Sequence, residues 1–147
     1  MSDKIENLWP ESFQEVEVLP VPYEILKEQG KLLKEKTNGK IEGIARVSTL
    51  LVESNKKYNR LITFSFYVPN IKYEYQVLHI ECGLSYPARI MYDYEGHSYP
   101  HPNINYAIAS DDKSFKTILK GVFASVPIAK IIATLIQASK DHRKDLT

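Results

Sequence analysis

The chain has 147 residues, 44% of them hydrophobic and 25% charged, the profile of one globular domain large enough to bury roughly 70% of its unfolded surface. Its 19 basic and 18 acidic residues leave a formal charge of +1, too even a balance for a nucleic-acid binder that works by neutralising phosphates. The single cysteine, Cys82, excludes an internal disulfide framework and a zinc site built on several thiolates.

Residues 1–22 read as an acidic arm punctuated by Pro10, Pro20 and Pro22. Proline there forbids a long helix. Trp9 and Phe13 are apolar enough that the arm is expected to lie across the body. The segment lacks the apolar stretch of a signal peptide, and no apolar run reaches the ~18 residues that suggest a membrane span. The expected setting is therefore the cytoplasm, with no membrane partner.

A helix is expected from Tyr23 to Thr37. Ile25, Leu26, Gln29, Leu32 and Leu33 share one face, Pro22 suits the first turn, and Asn38-Gly39 supplies a left-handed stop. Strands follow. In 40–53, Ile41, Gly43, Ala45, Val47 and Leu51 share a face whose small residues leave room for a helix to pack closely. In 60–68, Ile62, Phe64, Phe66 and Val68 alternate with polar positions. In 71–82 the apolar phase runs through Tyr73 and Tyr75, then switches to Leu78, Ile80 and Cys82, which predicts a β-bulge near Val77-Leu78. In 86–94, Tyr86, Ala88, Ile90, Tyr92 and Tyr94 lie on one side.

Pairing about a 69–70 turn sets Phe66 opposite Tyr73 and Phe64 opposite Tyr75. Pairing about 83–85 sets Ile80 opposite Ala88 and Leu78 opposite Ile90, with Arg89 across from His79 and diagonal to Glu81. A proline-bounded loop occupies 95–103, and 104–109 reads as a fifth strand. Two amphipathic helices close the chain: Phe115, Ile118, Leu119, Val122 and Phe123 mark the first, capped by Ser110 or Asp111. Ile128, Ile131, Ile132, Leu135 and Ile136 mark the second, after Ser125 and Pro127. Residues 140–147 form a charged tail. The expectation is a single α+β domain over 1–147: an N-terminal helix, a four- or five-stranded antiparallel meander, and a C-terminal helical hairpin packed on one sheet face. In general shape this is similar to many small bacterial adaptor, chaperone and immunity-type proteins.

No motif specifies a reaction. The six glycines form no dinucleotide fingerprint or phosphate loop, so no cofactor is expected. His97 and His101 have a spacing that some zinc sites use, with Asp93, Glu95, His79 and Cys82 as the nearest further ligands. Zinc needs at least three protein ligands, and ordinary loop histidines are the expected reading, with no metal. Glu81, Arg89 and His79 gather on the outer sheet face, where acid–base work would need a pocket that excludes water; a solvated cross-strand ion pair is the simpler expectation. Cys82, in phase with Leu78 and Ile80, reads as a buried thiol.

Nine of the ten tyrosines lie between Tyr58 and Tyr106. Tyrosine packs its ring while keeping its hydroxyl at water, and it is enriched in protein-binding surfaces. Tyr92, Tyr94, Tyr99 and Tyr106 are expected to gather with the His97–His101 loop at one end of the sheet. The leading expectation is a non-enzymatic module that binds another protein through that end and the exposed face around His79, Glu81 and Arg89. A small hydrolase or metal-dependent enzyme using His97, His101, His79, Glu81 or Asp93 is the alternative. A homo-oligomeric ligand binder is a third reading.

Overall fold

The computed structural model describes residues 5–12, 21–49, 58–92 and 105–145, with the backbone alone for residues 105 and 141–145. The fold is α+β. Helix α1 (Pro22–Lys36) leads into strands β1 (Glu42–Thr49), β2 (Arg60–Val68), β3 (Tyr73–Cys82), β4 (Ala88–Tyr92) and β5 (Asn105–Ala109), and helices α2 (Asp112–Phe123) and α3 (Val126–Asp145) close it. The strands form one antiparallel sheet in the order β1-β2-β3-β4-β5. The first strand ends at Thr49, so the expected continuation to residue 53 lies outside the described residues.

Alternation decides which face is buried. On β2, Ile62, Phe64, Phe66 and Val68 are at most 2% exposed, and across β3 and β4 the same face carries Leu78, Ile80, Cys82, Ala88 and Ile90. The three helices supply Ile25, Leu26, Phe115, Leu119, Val122, Ile128 and Leu135 to this core, so all three cover one face of the sheet. The bulge falls where the phase switch places it. Phe64 pairs with Leu78 and Ser65 with Gln76, leaving Val77 as the extra residue, turned into the core at 1% exposure.

Both hairpin registers differ from the expected ones by two residues. Phe66 faces Tyr75, and Ile80 faces Ile90. The reason is loop length. Between β2 and β3 a 3₁₀ turn at Pro69–Ile71 is followed by Lys72 in the left-handed region at φ 51°, so Val68–Tyr73 closes the hairpin. Between β3 and β4, Cys82–Ala88 closes a loop that contains a cis Tyr86-Pro87 bond. A shift of two preserves the face of every residue but changes its partner: Arg89 sits across from Glu81, and His79 across from Met91.

Helix α1 stops as its sequence indicates. Thr37 Oγ1 donates to the Leu33 carbonyl at 2.9 Å and accepts from the Ile41 N–H at 3.0 Å, while Asn38 and Gly39 take positive φ. The small residues of β1 receive this helix at van der Waals limits. A Cβ on Gly30 would stand 2.1 Å from the Gly43 carbonyl oxygen, and one on Gly43 would stand 2.5 Å from the Gly30 Cα. Helix α2 begins with a capping box: Asp111 Oδ1 accepts from the Ser114 N–H at 2.7 Å, and Ser114 Oγ accepts from the Asp111 N–H at 3.2 Å. That bond to the backbone and side chain of Ser114 holds the Asp111 carboxyl below the usual carboxylate range.

The C-terminal helical pair is an open elbow, its axis turning by 61° between α2 and α3. Among the described residues no single helix is long and apolar enough to cross a membrane, and only this bent pair reaches the length and composition of a span. The apolar residues of the elbow instead serve the core. In its second half helix α3 is tied to the turn between β2 and β3, where Asn70 Nδ2 donates to the buried Ser139 Oγ at 3.0 Å. Leu135, 6% exposed, packs into the core beside a shallow cavity of about 370 Å³ lined by Ile71, Tyr73 and Tyr75. Leu135→Ala is expected to lower stability by about 2 kcal/mol, the low end for a buried leucine because the cavity is already partly open. Urea denaturation reads this directly, and an unchanged midpoint would show that α3 is not docked here.

Candidate functional site

The helix-free face of the sheet is built from the odd positions of β2 and their cross-strand partners, which on β3 are Glu74 and Gln76 before the bulge and His79 and Glu81 after it. Toward β5 it carries Leu61, Glu81, Arg89, Met91, Ile108 and Tyr106, brought together because Leu61 pairs with Glu81, Glu81 with Arg89, and Arg89 with Ile108. Tyr106 pairs with Met91 one step further along. Arg89 is the centre of this arrangement. Its guanidinium carbon lies 4.5 Å from the Tyr58 ring centroid and 5.8 Å from that of Tyr106, distances at which a cation is attracted to an aromatic face. Its Nη1 is 3.6 Å from Glu81 Oε1, with the two side chains 34% and 15% exposed.

This environment corrects the expectation of a solvated ion pair. Glu81 is largely withdrawn from water, His79 is 7% exposed and Met91 8%. Among the described residues the Arg89 Nε–H is buried without a hydrogen-bond acceptor, so the guanidinium is positioned by its two aromatic neighbours and one carboxylate rather than by a saturated hydrogen-bond network. At the other end of the same face Arg46 bonds Glu74, joining β1 to β3 across β2. Arg46 pairs with Thr63 and Glu74 with Tyr67, so the bridge runs diagonally over the intervening Ser65, which is fully buried.

The expected tyrosine cluster is divided by the sheet. Tyr92 packs half-buried against the helix-covered core, whereas Tyr106 is on the opposite face and 63% exposed. Strand alternation enforces this, because Tyr92 pairs with Asn105, the neighbour of Tyr106. Tyr94, His97, Tyr99 and His101, together with Asp93 and the rest of 95–103, lie outside the described residues. Trp9 does not lie across the body as expected: it is 74% exposed. Phe13 is outside the described residues.

Four members of the site, Leu61, Met91, Tyr58 and Ile108, are not singled out by the sequence pattern. Tyr58 precedes the first paired residue of β2, so no alternation assigns it a face. Ile108, 54% exposed, reads as an ordinary strand residue until β5 is known to be an edge.

The chemistry available here is recognition by charge and aromatic surface. Among the described residues no group of three or more His, Cys, Asp or Glu side chains could hold a metal ion. Cys82 lies on the buried face at 2% exposure, where burial raises its thiol pKa and the nearby Arg60 offsets that only in part. A thiol held in its neutral form is a poor nucleophile. A disulfide reagent at mildly alkaline pH is expected to modify Cys82 at the rate of unfolding rather than at the rate of a free thiol, and rapid stoichiometric labelling of the folded protein would contradict the placement. Compared with known proteins, the chain matches no family model, no curated protein and no solved structure.

Proposed function

We propose that the protein is a non-enzymatic interaction module that binds another protein through the helix-free face at the β4–β5 end. The observation that carries this reading is Arg89, held between the rings of Tyr58 and Tyr106 beside the exposed Ile108 of edge strand β5. Arginine and tyrosine are among the residue types that dominate interface energetics: tyrosine offers a large contact area at low entropy cost, and the guanidinium here is already held beside two rings and a carboxylate. A lone exposed apolar side chain needs no explanation. Here Tyr106 and Ile108 are successive positions on one face of one strand, with a cation seated next to them.

A fitting partner presents an apolar side chain to Tyr106 and Ile108 and a carboxylate to the exposed part of Arg89, in competition with Glu81. The experiment is affinity capture from the native host with the wild-type chain and with Tyr106→Ala, partners identified by mass spectrometry. A central contact tyrosine is expected to contribute ~2 kcal/mol or more, about thirtyfold in affinity. Because Tyr106 is mostly exposed, its truncation should leave the thermal midpoint nearly unchanged. Loss of fold stability with partner affinity intact would make the ring structural and defeat the proposal.

A further inference from the structure

The two edges of the sheet are built differently. An edge strand offers unpaired N–H and C=O groups to any other chain, and natural edges are blunted by charged residues, proline, bulges or a covering element. Edge β1 carries Glu42 and Arg46, the latter tied to Glu74. Edge β5 reads Asn105-Tyr106-Ala107-Ile108-Ala109, with no charge, proline or glycine, and its register with β4 runs unbroken, without a bulge. Five residues is an ordinary strand length, and among the described residues no strand lies beyond it. Helix α2 packs against β5, and Ala109 is fully buried on the covered face, but Tyr106 and Ile108 stay 63% and 54% exposed on the other.

This edge is also complementary to itself. Two β5 strands laid antiparallel about a twofold axis at Ala107 pair along their whole length. Asn105 then faces Ala109, Tyr106 faces Ile108, and Ala107 faces its own copy. A slip of one residue would set the helix-free face of one copy beside the covered face of the other, and a slip of two would leave part of each strand unpaired. We infer that β5 pairs in this register with β5 of a second copy, joining two five-stranded sheets into one continuous antiparallel sheet. Such a contact is isologous, so every favourable pair occurs twice. An aromatic ring opposite a β-branched side chain is a favourable cross-strand pair, and it gives each exposed apolar residue of β5 a neighbour. On the covered side the twofold axis passes between two alanines, which let the backbones approach. The helix-free faces, each with its own Arg89, become one surface, whatever other protein that surface binds.

Sedimentation equilibrium of the purified full chain, from micromolar to millimolar concentration, should show a monomer–dimer equilibrium. Amide hydrogens of residues 105–109 should exchange more slowly as concentration rises, and those of β1 should not. Tyr106→Lys/Ile108→Lys and Tyr106→Glu/Ile108→Glu change exposed positions and are expected to melt as the wild type does. Each sets like charges directly opposite one another in both halves of the contact, and should raise the dissociation constant about tenfold or more. In an equimolar mixture of the two variants every lysine meets a carboxylate, and a heterodimer should form where neither variant dimerises alone. A wild-type chain that stays monomeric throughout would overturn the inference. So would a dimer that survives in both variants, or a mixture in which no dimer returns, since the contact would then lie elsewhere.

Discussion

Phe64→Ala is expected to produce the largest loss of stability in the molecule, about 3–5 kcal/mol. The ring is 1% exposed and stands where all parts of the fold converge. It meets Phe66 edge-on at 6.1 Å and Phe123 of α2 at 5.8 Å between centroids, and it lies against Gly43 of β1. Removing it leaves a void directly beside a groove between α1 and the α2–α3 elbow, and it detaches α2 from the centre of the sheet. Native domains are stable by roughly 5–15 kcal/mol, so chemical denaturation should show a midpoint far below that of the wild type, or a partly unfolded protein in buffer alone. A change under about 1 kcal/mol would mean that the helices are not packed on this ring.

Gly30→Ala sets two effects against each other, and their signs differ. In a free helix, alanine for glycine is stabilising by about 0.8–1 kcal/mol. At residue 30 the new methyl would stand 2.1 Å from the Gly43 carbonyl oxygen and 2.7 Å from its carbon. Both are backbone atoms of a paired strand that cannot rotate aside, so α1 must lift from β1. Overpacking of this kind costs roughly 1–3 kcal/mol and sometimes more; at 2.1 Å from backbone the upper end applies, and after the helix-propensity gain a net destabilisation of about 2 kcal/mol is expected. Gly121, in α2, is the control. It is exposed and a Cβ there would meet nothing within 4 Å, so Gly121→Ala should stabilise by about 0.5–1 kcal/mol. Thermal melts of the two variants should therefore move in opposite directions. If both rise, the glycine contact between α1 and β1 is not as described.

These residues also show what the sequence makes readable. The alternation on β2, the phase switch around Val77, the Asn38-Gly39 stop and the Asp111 cap are local patterns, and each reports its own geometry. The small residues of β1 likewise announce that a helix comes close. Cross-strand partners are less accessible, because they depend on how many residues the loops consume. A 3₁₀ turn ending in left-handed Lys72 and a five-residue loop through Pro87 each moved the register by two. Faces survived that shift and pairings did not, which is why Arg89 meets Glu81 instead of His79. The site was legible only in part for the same reason. Arg89 and Glu81 could be assigned to one face by alternation, whereas the face of Tyr106 follows only from its pairing with Met91, and the ring of Tyr58 reaches Arg89 from outside the paired strand, where no periodicity applies. Composition alone grouped Tyr92 with Tyr106, although the sheet lies between them.

The most direct test of the proposed function is quantitative capture from the native host by three baits: wild type, Tyr106→Ala, and the double variant Tyr106→Ala/Ile108→Ala. Each bait is first shown to melt at the wild-type temperature. The account predicts a protein that is enriched by the wild type, depleted with Tyr106→Ala and lost with the double variant, because both side chains are exposed on one face of β5 beside Arg89. Equal recovery of the same protein by all three folded baits would contradict it.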